Sequence, residues 1–216
     1  MDKDFLDIPL SPELRSALMD LARPMCLSPR ETLFDEHDDG DALYFVVGGR
    51  LELSMMAEDG RKLGLDVVSR GSFFGEIALL DPGPRTATAT ALEECDLRML
   101  RRADLLQVLD RSPHLMVEVL RLIGIRMRDI TDQMNEQILL PLPQKLARRL
   151  LRLATVTEGG PRCLRLSHSE LADLVGASRE AVSKALSSWK KQGYLHTGRG
   201  SIELLDEAGL RSIAGL

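Results

Sequence analysis

The sequence predicts an α+β protein with a small β domain first, one long helix next and a compact helical domain with a hairpin last. Short apolar runs alternate with glycine turn signals between residues 31 and 100, which is typical of a small barrel or sandwich. Residues 114–140 carry apolar side chains at helical spacing. Beyond Pro141 and Pro143, two short helical patterns separated by a glycine precede a hairpin pattern.

Length and composition place limits on the class of protein. The chain has 216 residues, 44% hydrophobic and 28% charged, which favours two modest globular domains over a disordered or collagenous chain. Since no apolar run approaches the ~20 residues of a membrane span, and the first residues lack a signal-peptide pattern, we expect a cytoplasmic protein without membrane contact. The three cysteines are far apart, so we expect neither a disulfide framework nor a zinc site.

The elements follow in order along the chain. Apolar spacing predicts a short helix over 11–22, and helical texture returns at 101–109 after the β region. We predict three parts, the β domain at 1–112, the long helix at 113–140 and the last domain at 141–216, because the two prolines end the long helix.

The long helix carries a stripe that suits a partner helix. Its members repeat at steps of three and four, the spacing of a coiled-coil seam, and are Leu120, Ile123, Met127, Ile130 and Met134. We therefore predict a homodimer. The alternative is that the stripe packs on the β domain of its own chain.

The charge is distributed unevenly. Residues 1–140 carry 16 Lys and Arg against 26 Asp and Glu, a net charge of −10, whereas residues 141–200 carry 11 against 4, a net charge of +7. A basic second part suggests a polyanionic partner, although solvated surface charge is the simpler interpretation.

The last domain contains a helix-turn-helix pattern. Ser167 and Glu170 form a capping box, so a helix begins there. Gly176 suits the left-handed turn and Ser178 caps a second helix that extends to about residue 191, with Trp189 on its buried face. Residues at the start of such a second helix enter the major groove of double-stranded DNA.

Candidate DNA-binding residues follow from this placement. Arg179 can bind the two acceptors of guanine, and Glu180 can accept from cytosine, while Ser183 and Lys184 share their face of the helix. The candidates also include the capping residue Ser178. They further include Arg199, which a predicted hairpin turn places against the DNA backbone. The alternative is that these charges are ordinary exposed side chains of an amphipathic helix.

The residues of the β domain that are best suited to bind a ligand lie between Gly71 and Ala87. Gly75 permits close backbone approach, and the amides of Ile77 and Ala78 at a helical turn can meet an anion. Arg85 supplies a planar fork for a phosphate, with the hydroxyl of Thr86 beside it.

Glu76 completes this pattern as an acceptor for a sugar hydroxyl. One carboxylate beside one guanidinium suits a cyclic nucleotide, whose free 2′-hydroxyl and ring phosphate need these two groups. The structural alternative is a buried Glu76–Arg85 pair that braces a strand-turn-strand.

These motifs resemble a known family. Residues 75–79 (GEIAL) and 84–87 (PRTA) resemble the phosphate-binding cassette of cyclic-nucleotide-binding domains, and with the long helix and residues 176–180 (GASRE) the chain resembles the CRP/FNR family of bacterial transcription regulators over about residues 10–205.

The resemblance implies a jelly-roll domain, a dimerisation helix and a winged helix-turn-helix. It also implies that Gly75, Ile77 and Ala78 hold the cyclic phosphate, that Glu76 binds the ribose 2′-hydroxyl and that Arg85 pairs with the phosphate. RNA polymerase is an expected partner.

The resemblance leaves the base open. Two adjacent hydroxyl residues that contact adenine in cAMP-binding members match Ile130 and Thr131 here, and the isoleucine weakens the case for cAMP. The hydroxyl of Thr86 suits either nucleotide, whereas Asp129 and Asp132 can accept from the two donors of a guanine edge. We therefore expect the effector to be cGMP or cAMP.

On the second helix of the helix-turn-helix, the recognition helix, Arg179 and Glu180 match the family's Arg-Glu pair, and Lys184 replaces its second arginine. The resemblance therefore implies a DNA half-site that resembles TGTGA, with weaker base discrimination at the position of Lys184.

Two alternatives remain open. The fold can be kept in a regulator that is ligand-independent or responds to a cyclic dinucleotide. The other class is an enzyme or its regulatory subunit, and we predict that the chain is not an enzyme because it has no nucleophile elbow, no phosphate loop and no metal-spaced His and Cys set.

Overall fold

The computed structural model describes residues 11–58, 60–81, 83–156, 161–198 and 200–216. Within these ranges the chain divides into two compact units. The first contains residues up to 56 together with 65–130, and the second contains 57–64 together with the residues from 131 onward. No helix in the described ranges is long and apolar enough to cross a bilayer.

The helices have the following bounds, in chain order: α1 (Pro12–Leu21), α2 (Glu76–Leu80), α3 (Arg102–Arg111), α4 (Leu115–Leu139), α5 (Leu142–Leu153), α6 (His168–Val175), α7 (Arg179–Lys191) and α8 (Glu207–Ala214). The strands that precede α3 are β1 (Arg23–Leu27), β2 (Thr32–Phe34), β3 (Asp39–Gly40), β4 (Ala42–Gly48), β5 (Arg50–Met56), β6 (Lys62–Ser69), β7 (Phe73–Phe74), β8 (Gly83–Pro84), β9 (Thr88–Ala91) and β10 (Cys95–Arg101). The strands that follow α5 are β11 (Thr155–Val156), β12 (Arg162–Leu164), β13 (Leu195–Gly198) and β14 (Ser201–Leu204).

The β domain is a double-layered antiparallel structure. One sheet has the order β1-β10-β4-β7, a second has β2-β9-β5-β6, and a short pair joins β3 to β8. This arrangement of short strands, with the long helix and the winged helix-turn-helix after it, confirms the predicted fold class.

Strand β4 contributes to two separate cores. Leu43 and Phe45 join a cluster with α1, α3 and the start of α4, whereas Tyr44 and Val46 join the interior between the two sheets. Successive side chains of a strand point to opposite faces, so an apolar run with no alternation marks a strand that is covered on both sides. The predicted phosphate-binding cassette, which begins at Gly75, lies beside this strand, since β7 pairs with β4 immediately before α2.

In the second unit, α6 and α7 form the helix-turn-helix and β13 and β14 form the hairpin that follows. The predicted capping box is present, because Ser167 Oγ accepts from the Glu170 amide at 3.2 Å and a Glu170 carboxylate oxygen accepts from the Ser167 amide at 2.6 Å. Gly176 has φ 62°, the left-handed turn that the sequence predicts.

Two short strands precede the helix-turn-helix in the chain. Strand β12 (Arg162–Leu164) pairs with β11 (Thr155–Val156) and with β14. The hairpin is where it was predicted, but Arg199 at its tip lies outside the described residues. The three-part division of the chain stays a prediction.

Candidate ligand and nucleic-acid sites

The ligand motif is built around a left-handed glycine. Gly75 has φ 82° and precedes α2, so the chain reverses after β7 and begins a helix within one residue. A Cβ at Gly75 would stand 2.8 Å from Arg85 Nη1, and one at Gly40 would stand 2.6 Å from Arg85 Nε. The two glycines therefore make room for one guanidinium.

Arg85 is fixed in place by its backbone and by aromatic rings. Its amide donates to the Asp38 carbonyl at 2.7 Å, and its carbonyl accepts from the His37 amide at 2.9 Å, in continuation of the β3–β8 pair. The guanidinium carbon lies 4.2 Å from the ring centroid of Phe34, a cation–π contact.

The charge of Arg85 is buried without a carboxylate. The residue is 5% exposed, and within the described ranges its Nη1 donates only to backbone carbonyls, to Ala42 at 2.9 Å and to Gly75 at 3.4 Å. Its Nε has no hydrogen-bond partner, and no ion pair to Arg85 occurs among the described residues. Since a buried charge is costly unless it is paired, this site fits an anionic ligand.

Tyr44 forms another side of this site. Burial raises the pKa of its phenol, and the neighbouring Arg85 charge acts in the opposite direction. Its ring stacks on Phe74 at 5.3 Å between centroids. The rings of Phe34 and Tyr44 lie 4.2 and 5.5 Å from the guanidinium carbon, and such apolar surfaces strengthen the attraction of the guanidinium for an anion.

Glu76 does not pair with Arg85. Its Oε1 instead accepts from Arg126 Nε on α4 at 3.2 Å, and the same guanidinium approaches Asp66 Oδ2 at 3.8 Å. The alternative of a Glu76–Arg85 brace is therefore wrong, because Arg126 takes the carboxylate. This contact joins the first residue of α2 directly to the long helix.

The other predicted ligand residues have different surroundings. Ala78 is buried next to Gly40, whereas the side chains of Ile77 and Thr86 are exposed. Thr131 and Asp132 are exposed on the part of α4 that belongs to the second unit. The structure thus brings together the cassette residues at 75–78 and Arg85, and it leaves the base-contacting assignments as predictions.

The recognition helix presents its charges to solvent. Ser178 Oγ accepts from the Ala181 amide at 3.2 Å, and Arg179, Glu180 and Lys184 are exposed. The pKa of Glu180 is lowered by its own backbone N–H and by the Ser178 hydroxyl, so the side chain is a carboxylate at neutral pH.

Ser183 differs from the other predicted DNA-binding residues. It is half-buried, and its Oγ lies 2.8 Å from His168 Nδ1 at the start of α6. The charged members of the set share an exposed face, while Ser183 also joins the two helices of the motif.

Comparison with known proteins decides the family. Residues 24–112 match the cyclic nucleotide-binding domain, and residues 144–213 match the Crp-like helix-turn-helix domain. A CRP-like cAMP-activated global transcriptional regulator from Mycobacterium tuberculosis is 32% identical over 208 residues, which are 93% of this chain and 92% of the relative. The chain belongs to the CRP/FNR family of transcription regulators.

Other CRP/FNR members agree with this assignment. The cyclic AMP receptor protein of Thermus thermophilus is 32% identical over 84% of this chain and 83% of its own length. The crystal structure of a CRP-family transcriptional regulator from the same organism superimposes with a TM-score of 0.74 at 27% identity, covering 89% of this chain and 97% of that one. The predictions of a DNA-binding regulator with a ligand domain, and of a protein that is not an enzyme, are confirmed.

Sequence reasoning missed Arg126 and Gly40. Arg126 lies 50 residues from its partner Glu76, and an arginine on an amphipathic helix gives no local signal of such a contact. Gly40 stands in an acidic turn sequence that predicts only a loop. The one signal in the sequence was the alternative prediction that the long helix packs on the β domain of its own chain.

Proposed function

We propose that this CRP/FNR-family chain is a homodimeric transcription regulator whose binding to DNA is controlled by a cyclic nucleotide. The observation that carries the proposal is the buried guanidinium of Arg85, which has no anionic partner among the described residues and an unpartnered Nε. A cyclic phosphate brings the missing negative charge to this site. Glu76 offers an acceptor at the neighbouring position for the ribose 2′-hydroxyl.

Each cassette residue has a part in this proposal. Arg85 pairs with the phosphate, and the backbone of Gly75, Ile77 and Ala78 lines its other side at the start of α2. Thr86 supplies a hydroxyl beside the phosphate. Thr131 and Asp132 on the long helix contact the base.

We propose cAMP as the effector, with cGMP as the alternative. The two 32%-identical relatives are named for activation by cAMP or for its binding, which supports cAMP. Ile130 and the aspartates on either side of Thr131 support cGMP, because an aspartate accepts from both donors of a guanine edge.

Calorimetric titration with cAMP, cGMP and a cyclic dinucleotide tests the effector. We expect cAMP to bind with the lowest Kd and Arg85→Ala to weaken it at least tenfold, because a hydrogen bond to a charged group contributes about 1.5–3 kcal/mol. Arg111→Ala on the exposed side of α3 is the matched control and leaves the Kd unchanged. Equal cAMP affinity of the wild type and Arg85→Ala would reject the site.

The surface of α4 supports the homodimer. Leu120, Met127 and Met134 are 59%, 64% and 57% exposed in the single chain, although they occupy the heptad positions that pack in a coiled coil. Ile123, by contrast, contacts the core of its own chain. A partner helix on this stripe removes the apolar surface from water.

Sedimentation tests the dimer directly. We expect Met127→Glu to give a monomer, since it places a charge in the middle of the seam. Arg128→Glu is the control, because it introduces the same side chain at the next, exposed position outside the seam, and it remains dimeric. Sedimentation of the wild type as a monomer at micromolar concentration would contradict the proposal.

We further propose that the dimer binds a palindrome whose half-sites resemble TGTGA. Arg179 and Glu180 read the base edges, with Ser178, Ser183, Lys184 and Arg199 as additional contacts. We expect Arg179→Ala to lose about 1–3 kcal/mol of discrimination at one guanine in fluorescence anisotropy. The same loss on an unrelated sequence would mean that Arg179 contacts only phosphate.

The cellular setting of this regulator follows from its target. We propose that it acts in the cytoplasm, where bacterial DNA lies, and that RNA polymerase is its partner at the promoter. Co-sedimentation of the liganded dimer with polymerase on promoter DNA tests this partner.

A further inference from the structure

The end of α6 lies at the turn of the helix-turn-helix and needs hydrogen-bond donors. The amides of Gly176 and Ala177 both donate to the Ala172 carbonyl, which closes the helix. The last four carbonyls of a helix have no partner within it, and that of Leu174 is one of them. Because Leu174 is fully buried, a carbonyl without a donor at this position would be costly.

Two side chains from other helices supply these donors. Gln137 Nε2, near the end of α4, donates to the Leu174 carbonyl at 2.7 Å, and Arg149 Nη2 of α5 donates to the same oxygen at 3.4 Å. The Gln137 amide also lies over the turn itself, since a Cβ on Gly176 would stand 3.9 Å from Gln137 Oε1. The shorter of the two hydrogen bonds to the Leu174 carbonyl, that from Gln137, thus comes from α4.

The end of α4 is held where it can make this contact. The carbonyl of Gln137 accepts from Lys145 Nζ at 3.1 Å. The carboxylate of the preceding residue, Glu136, pairs with Arg148 at 3.2 Å and with Arg152 at 2.9 Å, and both arginines are on α5. Contacts on two successive residues fix this turn of α4 against α5.

We propose that Gln137 is a positioning residue through which the last turns of α4 set the direction of the recognition helix. Only the turn at 176–178 separates the capped end of α6 from α7. A rotation of α4 that moves the Gln137 amide thus either moves the turn with it or breaks the cap. The inference rests on the proposed function, in which the nucleotide contacts α4 at Thr131 and Asp132 and controls DNA binding, and it adds the residue through which α4 acts on the helix-turn-helix.

Gln137→Met tests the cap, because methionine has a similar length and no donor. We expect hydrogen exchange of the amides in 172–178 to accelerate about fivefold, the effect of losing one neutral hydrogen bond. Gln107→Met is the matched control, since Gln107 is exposed on α3. Unchanged exchange in Gln137→Met overturns the inference.

A second measurement separates positioning from a merely structural role. We expect the affinity of the free protein for cAMP to stay within about twofold, while the ratio of operator affinities with and without cAMP falls about fivefold in Gln137→Met. By linkage, the enhancement of cAMP affinity by operator falls by the same factor. Faster exchange with an unchanged ratio means that Gln137 only stabilises the turn, which also overturns the inference.

The wild type distinguishes this inference from the proposed function. If no cyclic nucleotide changes the affinity of the wild type for its DNA operator, the proposed control of DNA binding by a cyclic nucleotide is wrong. The inference is then decided by the ligand-free operator affinity, which falls in Gln137→Met if this residue directs α7 and is unchanged if it does not.

Discussion

Replacement of Gly40 by alanine tests the geometry of the ligand site without removing a charge. Gly40 ends β3, and its backbone is not in the left-handed region, so alanine introduces no conformational strain. The new Cβ would stand 2.6 Å from Arg85 Nε and 2.7 Å from the Cβ of Ala78. Neither neighbour can move freely, because Arg85 packs on Phe34 and Ala78 is part of α2.

The magnitude follows from this overlap. Insertion of a methyl group into a packed site costs about 1–3 kcal/mol, which we expect as a loss of unfolding free energy. Relief of the overlap displaces α2 or Arg85, and these carry both halves of the proposed ligand contact. A displacement that forfeits about 1.4 kcal/mol of binding raises the Kd tenfold, so we expect at least that increase for cAMP.

Gly48→Ala is the matched control. Gly48 ends β4, also has an ordinary backbone conformation, and a Cβ there meets nothing within 4 Å. Thermal unfolding and calorimetric titration are measured on both variants. If Gly40→Ala binds cAMP as tightly as Gly48→Ala and melts at the same temperature, the close approach of β3, Arg85 and α2 is not a feature of the protein in solution.

Three further predictions concern stability and thiol chemistry. Burial raises the pKa of Asp173, although the charge of Lys62 opposes this shift. The folded state therefore disfavours the carboxylate, and the stability of the protein falls as pH rises through that pKa. Asp173→Asn should raise the melting temperature at pH 7 but not at pH 3. Ser167→Ala removes half of the capping box and should cost about 1 kcal/mol in urea unfolding, whereas a cost near zero would mean that solvent replaces the cap. Exposed Cys26 should react with a maleimide at pH 7.5 well before Cys95, because burial raises the pKa of the Cys95 thiol; mass spectrometry of native and unfolded protein checks the order.

The elements that sequence could predict are those specified by local chemistry. The capping box at Ser167 and Glu170 lies within four residues, and a left-handed glycine at 176 follows from one turn. The bounds of the recognition helix were predicted almost to the residue for the same reason. The cassette from 75 to 85 is also local, since Arg85 follows Glu76 by nine residues in the sequence.

The contacts that sequence could not predict join distant segments. The Glu76–Arg126 pair and the Gln137 cap on Leu174 each depend on how α4 is placed after the chain has folded. Polar residues on an amphipathic helix are usually solvated, so neither residue stands out among its neighbours. Ser183 shows the same limit, because only the packing of α6 against α7 brings His168 to its hydroxyl.

Strand β4 has a consequence for how the first unit melts. Its alternate side chains are shared between the helical layer and the interior of the two sheets, so neither region keeps its packing once this strand is lost. Scanning calorimetry of that unit should accordingly show a single endotherm. A cyclic nucleotide bound at the proposed site beside Arg85 should then also raise the temperature at which α1 and α3 unfold.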